Sequence, residues 1–228
     1  MLDNSGHRER VKKRFQEEGL AHFHPVHALE LLLFYAIPRK DTKPIARKLL
    51  DYFGSFYGVL DAPPEALQRV EGVGANTAQY IRMMGQLVGY YMRDRAQGKG
   101  AFKSSGEIGR YISNFFIGAR TEMLYLLSLD AKGARISEHK LCEGTVSFLT
   151  ISPRKIAEEI LAVGGQNVIL AHNHPGGIPR FSDADVVATK RLAQWLSEMH
   201  ITLLDHYLIT EEDCISMAEL GLYRCEEV

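Results

Sequence analysis

Apolar residues in the first part of the chain recur at the three- and four-residue spacing of amphipathic helices, and no segment alternates as a strand would. Prolines and glycines mark where these segments begin and end; Gly54, for example, closes one of them. We therefore expect residues 1–92 to form a small all-α domain. Its predicted helices are VHALELLLFYAI, DTKPIARKLLDYFG, PPEALQRV and the long ANTAQYIRMMGQLVGYYM.

A charged, glycine-containing stretch at residues 93–101, RDRAQGKGA, predicts a linker to a second domain. Beyond it, short apolar runs typical of strands alternate with helical segments. The predicted order is helix, two strands around the turn DAKG, helix, strand, helix and final strands. Ser152 and Ser182 are the predicted caps of the second and third of these helices. This order predicts an α/β domain at residues 102–228, with a mixed α+β sheet covered by helices.

The composition favours a globular protein of a reducing compartment. Of 228 residues, 46% are hydrophobic, and the net charge of −1 combines +4 on residues 1–100 with −5 on the rest. A mildly basic first part is compatible with DNA, but this modest charge argues against a protein that coats it. The three cysteines are odd in number and form no C-x-x-C pair, which argues against a disulfide framework. Without a signal-peptide pattern or an apolar run of about 20 residues, we expect a cytoplasmic protein and no membrane span.

Candidate metal chemistry is concentrated in the segment HNHPGGIPRFSDAD. It places His172, His174, Ser182 and Asp185 at the spacing His-x-His, seven residues, Ser, two residues, Asp. The two histidines follow the strand-like NVILA, and one intervening residue puts their side chains on the same side of an extended backbone. Two imidazoles and one carboxylate are a ligand set of catalytic zinc sites that keep a fourth position for water. The segment therefore predicts a zinc site between a strand and a helix.

A plainer interpretation of the same residues is purely structural. Ser182 as a helix N-cap, with Asp185 in the first turn, would stabilise the helix by about 0.3–2 kcal/mol without any catalysis. A lone His-x-His is also common in loops. The joint spacing of all four residues is what favours the metal site.

The same segment, together with the downstream TKRL and LLDHYLI, resembles the RadC family. EGT at residues 143–145 and SPR at residues 152–154 match as well, and the resemblance covers roughly residues 102–225. The C-terminal domain of that family has the JAB/MPN metalloprotease fold, a layered architecture like that of cytidine deaminases. The residue between the histidines is Asn173, which is usual for RadC-like chains and unlike the ubiquitin-cleaving branch of the fold.

The resemblance implies roles for individual residues. His172, His174 and Asp185 would bind one Zn²⁺, and Ser182 would hold the attacking water or the oxyanion. The fold also needs an upstream glutamate as general base, at the start of a strand. Glu122, which begins EMLYLLSLD, fits best; Glu143 in CEGT is the rival, and Glu138 is a weaker third candidate.

His206, in LLDHYLI, alternates with apolar residues. It could orient a zinc-bound histidine, but we expect it to be an ordinary packed strand residue and not a ligand.

The segment VEGVGANTAQYI in the first domain resembles a helix-hairpin-helix turn. Backbone N–H groups exposed at such a turn can bind a DNA phosphate without reading sequence, and the contacts would come from Gly72, Gly74, Asn76 and Thr77. The alternative is that the two glycines only join two packed helices. Glu71, at the turn itself, argues against strong DNA binding.

The sequence therefore leaves two candidate functions for the protein. The first is a zinc-dependent hydrolase, a metallopeptidase or isopeptidase acting on a peptide or protein. The second is a DNA-associated binding protein, linked to repair or recombination, whose zinc domain is structural or binds a partner. A phosphodiesterase is less favoured, because many nucleases use two metals.

Overall fold

The computed structural model of this chain describes residues 4–96, 100–144 and 153–225. Part of the predicted linker, together with Thr145 and Ser152 of the family-like segments, lies outside these ranges. The chain divides into two compact units, Met1–Val88 and Gly89–Val228. The last helix of the first region continues to Ala96, so residues 93–96 of the predicted linker are helical, and the predicted domain boundaries stay a prediction. The helix thus extends about one turn into the charged stretch.

The first unit is helical. Leu29 and Leu33 of its second helix lie in a core that also contains Leu49 and Ile81, and Val26 packs against it. Prolines begin three of the helices, where their missing N–H costs nothing. The helices are α1 (Asn4–Glu18), α2 (Pro25–Ala36), α3 (Lys43–Phe53), α4 (Phe56–Asp61), α5 (Pro64–Leu67) and α6 (Ala75–Ala96), the last of which passes into the second unit.

The second unit is a five-stranded mixed sheet with helices, in the order β2-β1-β3-β4-β5. Among the described strands, β3 and β4 pair in parallel and the other neighbours are antiparallel. This arrangement confirms the predicted fold class. Its elements are α7 (Ser105–Ser113), β1 (Met123–Leu129), β2 (Arg135–Glu143), α8 (Pro153–Ala162), β3 (Asn167–Asn173), α9 (Asp183–Ser197), β4 (Thr202–Ile209) and β5 (Cys214–Ser216).

Strand alternation gives this sheet two different faces. Leu124 and Leu170 pack on one face against residues of α8 and α9, while Leu127 and Ile169 pack on the other against α7. Both faces are apolar because each is covered by helices. Since His172 is two residues after Leu170, its side chain projects to the α9 face, which sets the location of the candidate site.

No helix among the described residues is both long and apolar enough to cross a bilayer.

The glycine turn before α6 is a packing junction. Gly72 has a φ of +96°, and a Cβ there would lie 2.9 Å from Cδ1 of Ile45. Thr77 is buried, so its side chain does not reach an external phosphate, whereas Asn76 is exposed. Glu71 forms an ion pair of 2.6 Å with Lys48. Close packing thus accounts for Gly72 without DNA, and the predicted DNA contacts stay a prediction.

This packing makes the two turn glycines unequal. We expect Gly72→Ser to lower the free energy of unfolding by about 1–3 kcal/mol, because the side chain meets both an unfavourable φ and Ile45. Gly74→Ser is the matched control, since Gly74 has open space around it and serine suits a helix start; its effect should stay within about 0.5 kcal/mol. Urea unfolding of the full chain, followed by circular dichroism at 222 nm, measures both. Equal effects of the two substitutions would contradict this account of the turn.

Candidate metal centre

Three side chains with metal-binding atoms converge beyond the end of β3. Nε2 of His172 lies 3.2 Å from Nε2 of His174 and 3.8 Å from Oδ2 of Asp185. One ligand atom from each residue lies within 4.8 Å of the others. Two atoms bound at about 2.1 Å in a tetrahedral site are roughly 3.4 Å apart, so the cluster has nearly the dimensions of such a site. The structure therefore brings together the three ligands that the sequence predicts.

The loop between the histidines and α9 is shaped by glycines. Gly176 has a φ of +64°, and a Cβ on Gly177 would lie 2.9 Å from the Cβ of His174. The backbone N–H of His174 donates to the carbonyl of Ile209 at 2.9 Å, which continues the β3–β4 pairing one residue past the strand. Both histidines are thus held by backbone contacts before any metal is considered.

Asp185 is held by a capping box at the start of α9. Oδ2 of Asp185 accepts hydrogen bonds from the backbone N–H of Ser182 at 2.8 Å and from its hydroxyl at 2.6 Å. In return, Oγ of Ser182 accepts from the backbone N–H of Asp185 at 3.1 Å. Ser182 and Asp185 therefore form the helix cap that the plainer interpretation of the sequence predicts. The same contacts orient the Asp185 carboxylate for metal binding. The predicted role of Ser182 toward an oxyanion stays a prediction.

A buried chain of hydrogen bonds supports His172 from behind. The hydroxyl of Thr189 donates to the backbone carbonyl of Asp185 at 2.7 Å and lies 2.7 Å from Nδ1 of His206. Nε2 of His206 in turn lies 2.8 Å from Nδ1 of His172. Because the one hydroxyl proton of Thr189 is already donated, Nδ1 of His206 must be the donor in their contact.

Electrostatics then sets the tautomers along this chain. Burial lowers the pKa of His206 well below its usual value and lowers that of His172 to about 4, so both rings are neutral at pH 7. A neutral His206 that donates through Nδ1 has no proton on Nε2, so its Nε2 accepts a hydrogen bond from His172. The proton of that hydrogen bond is on Nδ1 of His172. The lone pair of His172 is therefore on Nε2, the atom that faces His174 and Asp185.

His206 is therefore more than the packed strand residue that the sequence favours. It is 1% exposed, and it forms a hydrogen bond with His172, one of the predicted ligands. The alternation in LLDHYLI signals a buried strand, but the partner of His206 follows from the parallel register that pairs it with Leu170. Thr189 was not singled out from sequence; its position four residues after Asp185, one helical turn away, is the signal that could have found it.

Glu122 directly precedes β1, on the side of the sheet that carries the histidines. Leu124 pairs with His172, and continued alternation sends Glu122 to the same face. A second observation agrees with this placement: burial raises the pKa of the Cys142 thiol, and the negative charge of Glu122 adds to that rise. Cys142 pairs with Leu124 from the other neighbouring strand. Glu122 itself is exposed.

The two rival glutamates have other partners. Glu143 pairs with Met123, which is one residue from Leu124 and so alternates to the other face of the sheet. A hydrogen bond from Lys140 lowers the pKa of Glu143. Glu138 accepts a hydrogen bond from the hydroxyl of Tyr111, on the α7 side of the sheet. The structure therefore places neither of them with the histidine cluster.

Comparison with known proteins agrees with this architecture. Residues 102–222 match the model of the RadC-like JAB domain. A UPF0758 protein of Fusobacterium nucleatum is 32% identical over 227 residues, covering 96% of this chain and 98% of that protein. UPF0758 proteins of Ruegeria pomeroyi and Rhodobacter capsulatus are 34% and 33% identical, covering 89% and 93% of this chain and 91% and 99% of their own lengths. These matches confirm the resemblance found in the sequence.

The hydrogen bonds that fix the tautomers of His206 and His172 predict that the Thr189 hydroxyl supports metal affinity. Thr189→Val keeps the shape but removes the acceptor for His206, and we expect it to weaken zinc binding by about tenfold or more. Thr189→Ser, which keeps the hydroxyl, should bind zinc within about threefold of the unchanged chain. Competition against a chromogenic chelator measures both affinities. Equal losses in the two variants would show that packing, and not the hydrogen bond, matters at this position.

Proposed function

Because the chain belongs to the RadC family, we propose that it is a zinc-dependent hydrolase of amide or isopeptide bonds, with a peptide or protein as substrate. The convergence of His172, His174 and Asp185 is the observation that carries the proposal. Three protein ligands that leave a fourth position for water are characteristic of catalytic zinc, whereas structural zinc sites have four.

The donor atoms fit this metal. Imidazole nitrogen and carboxylate oxygen suit Zn²⁺, and the argued tautomer leaves the Nε2 lone pair of His172 directed into the cluster. Within the described ranges, this is the one group of potential ligands that comes together. A two-metal phosphodiesterase therefore has no support from these residues.

The proposed reaction divides its tasks between zinc and two side chains. When bound, zinc would lower the pKa of a water molecule toward about 7 and polarise the substrate carbonyl. Glu122 accepts the proton of the attacking water as the C–O bond forms. It then delivers that proton to the amine nitrogen as the C–N bond breaks.

Ser182 is assigned to the oxygen of the substrate carbonyl. Its hydroxyl now donates to Asp185 at 2.6 Å, so it must exchange that acceptor for the developing negative charge. The capping bond from the backbone N–H of Ser182 to Asp185 can persist during this exchange and keep the carboxylate in place.

The DNA-associated alternative has less support. Of its four predicted contacts, Thr77 is buried and Gly72 is explained by Ile45. Gly72, Gly74 and Asn76 are exposed, but the packing of Gly72 on Ile45 gives the glycine turn a structural reason that needs no phosphate. We therefore do not propose DNA binding as the function.

A comparison of two glutamates tests the proposal. Zinc-loaded chain, Glu122→Gln and Glu143→Gln would be assayed against libraries of peptides and isopeptide-linked lysines. Loss of the general base should reduce kcat by about 10²–10⁴ in Glu122→Gln, while Glu143→Gln keeps its activity and both keep their zinc. A zinc-loaded chain that cleaves no library member, or an active Glu122→Gln, would overturn the proposal.

A further inference from the structure

Asn173, the residue between the two histidines, has a side chain on the opposite face of β3. It is 4% exposed, although asparagine is a polar residue that is seldom buried so fully. A buried carboxamide needs partners for its oxygen and its amino group. Those partners lie on the neighbouring strand, at the residues on either side of Glu122.

The Asn173 side chain takes the place of backbone pairing between β1 and β3. The backbone ladder ends at Leu124 and His172. One residue further, Oδ1 of Asn173 accepts from the N–H of Met123 at 2.7 Å, and its Nδ2 donates to the carbonyl of Thr121 at 3.1 Å. The two bonds straddle Glu122.

A third contact holds Glu122 from the other side. The N–H of Gly144, at the end of β2, donates to the carbonyl of Glu122 at 2.8 Å. The backbone around Glu122 is thus attached to both neighbouring strands, while its side chain is exposed. The strand that carries the proposed ligands is in this way connected to the proposed base through a single buried side chain.

We propose that Asn173 is a positioning residue that holds Glu122 in register with His172 and His174, and so fixes where the base stands relative to the metal. The inference rests on the proposed function. Its physical basis is that a displacement of about 1 Å of a reacting group can cost 10²-fold in rate. His172 and Glu122 are separated by 50 residues in sequence. Beyond the last backbone pair of β1 and β3, the side chain of Asn173 sets the spacing between them.

The chain offers a matched control for this residue. Asn167, at the other end of β3, donates through Nδ2 to the carbonyl of Asp130 at 2.9 Å, just after β1. It is the same residue type, on the same strand, joining the same pair of strands far from the metal cluster. Asn167→Ala therefore reports the cost of losing a strand-joining asparagine without any effect on Glu122.

The test uses cobalt in the full chain and needs no substrate. The visible absorption of bound Co²⁺ would be followed against pH in the unchanged chain, Glu122→Gln, Asn173→Ala, the double variant and Asn167→Ala. We expect Glu122→Gln to move the pH midpoint of the spectrum by more than about 0.5 unit, because it removes a nearby charge. Asn173→Ala should move it in the same direction, the double variant no further than Glu122→Gln alone, and Asn167→Ala not at all.

Each other outcome is decisive. The inference is overturned if the pH midpoint of Asn173→Ala equals that of the unsubstituted chain, or if the midpoint of Glu122→Gln does not move. It is also overturned if the two shifts add in the double variant. A chain that binds no cobalt would overturn both this inference and the proposed function. If the coupled shifts occur but no peptide or isopeptide is cleaved, the positioning role stands and the proposed hydrolase is wrong.

Discussion

The hydrogen bonds from Thr189 through His206 to His172 are the interaction on which the candidate site depends. They begin at the backbone carbonyl of Asp185 on α9 and end at the ring of His172 on β3, so they join the two elements that carry the proposed ligands. These hydrogen bonds are buried, and burial lowers the pKa of His172 and His206 so that both rings stay neutral. Each ring then carries its one proton on Nδ1, so Nε2 of His172 directs its lone pair toward His174 and Asp185. Loss of any member would leave a buried polar group without its partner, which is costly.

The fold turns this contact into a site by its parallel strand pair. β3 and β4 lie side by side, which sets His206 against Leu170, next to His172 on the α9 face. α9 then covers that face and brings Thr189 to His206. Beyond the end of β3, the loop of glycines and prolines leads to Ser182 at the start of α9. The location agrees with the general tendency of sites to lie beyond the carboxyl ends of strands.

Much of this could be predicted from local patterns. Spacing alone predicts the ligands, because alternation and a helix start both act within a few residues, and the capping pair of Ser182 and Asp185 is visible for the same reason. The roles of His206 and Asn173 could not be predicted in this way. Those roles depend on which strands are neighbours and on the register of their pairing. The local sequence pattern around each residue indicates neither the neighbouring strand nor the register.

The choice among three glutamates shows the same limit more sharply. β2 has an irregularity opposite Leu124 and Tyr125, where the pairing passes from Cys142 directly to Lys140. One extra residue in a strand reverses which side chains face the core beyond it. Counting along CEGT from the apolar residues of β2 therefore cannot tell on which face Glu143 lies, whereas Glu122 directly precedes β1, whose pairing with β3 is regular.

The central claim is that His172, His174 and Asp185 bind a metal ion in the folded chain. Elemental analysis of the chain, purified without chelators or a histidine tag, tests it most directly when set beside His174→Ala prepared in the same way. We expect about one zinc per chain and its loss in the variant. Little zinc in either protein, even after zinc is supplied, or equal zinc in both, would contradict it.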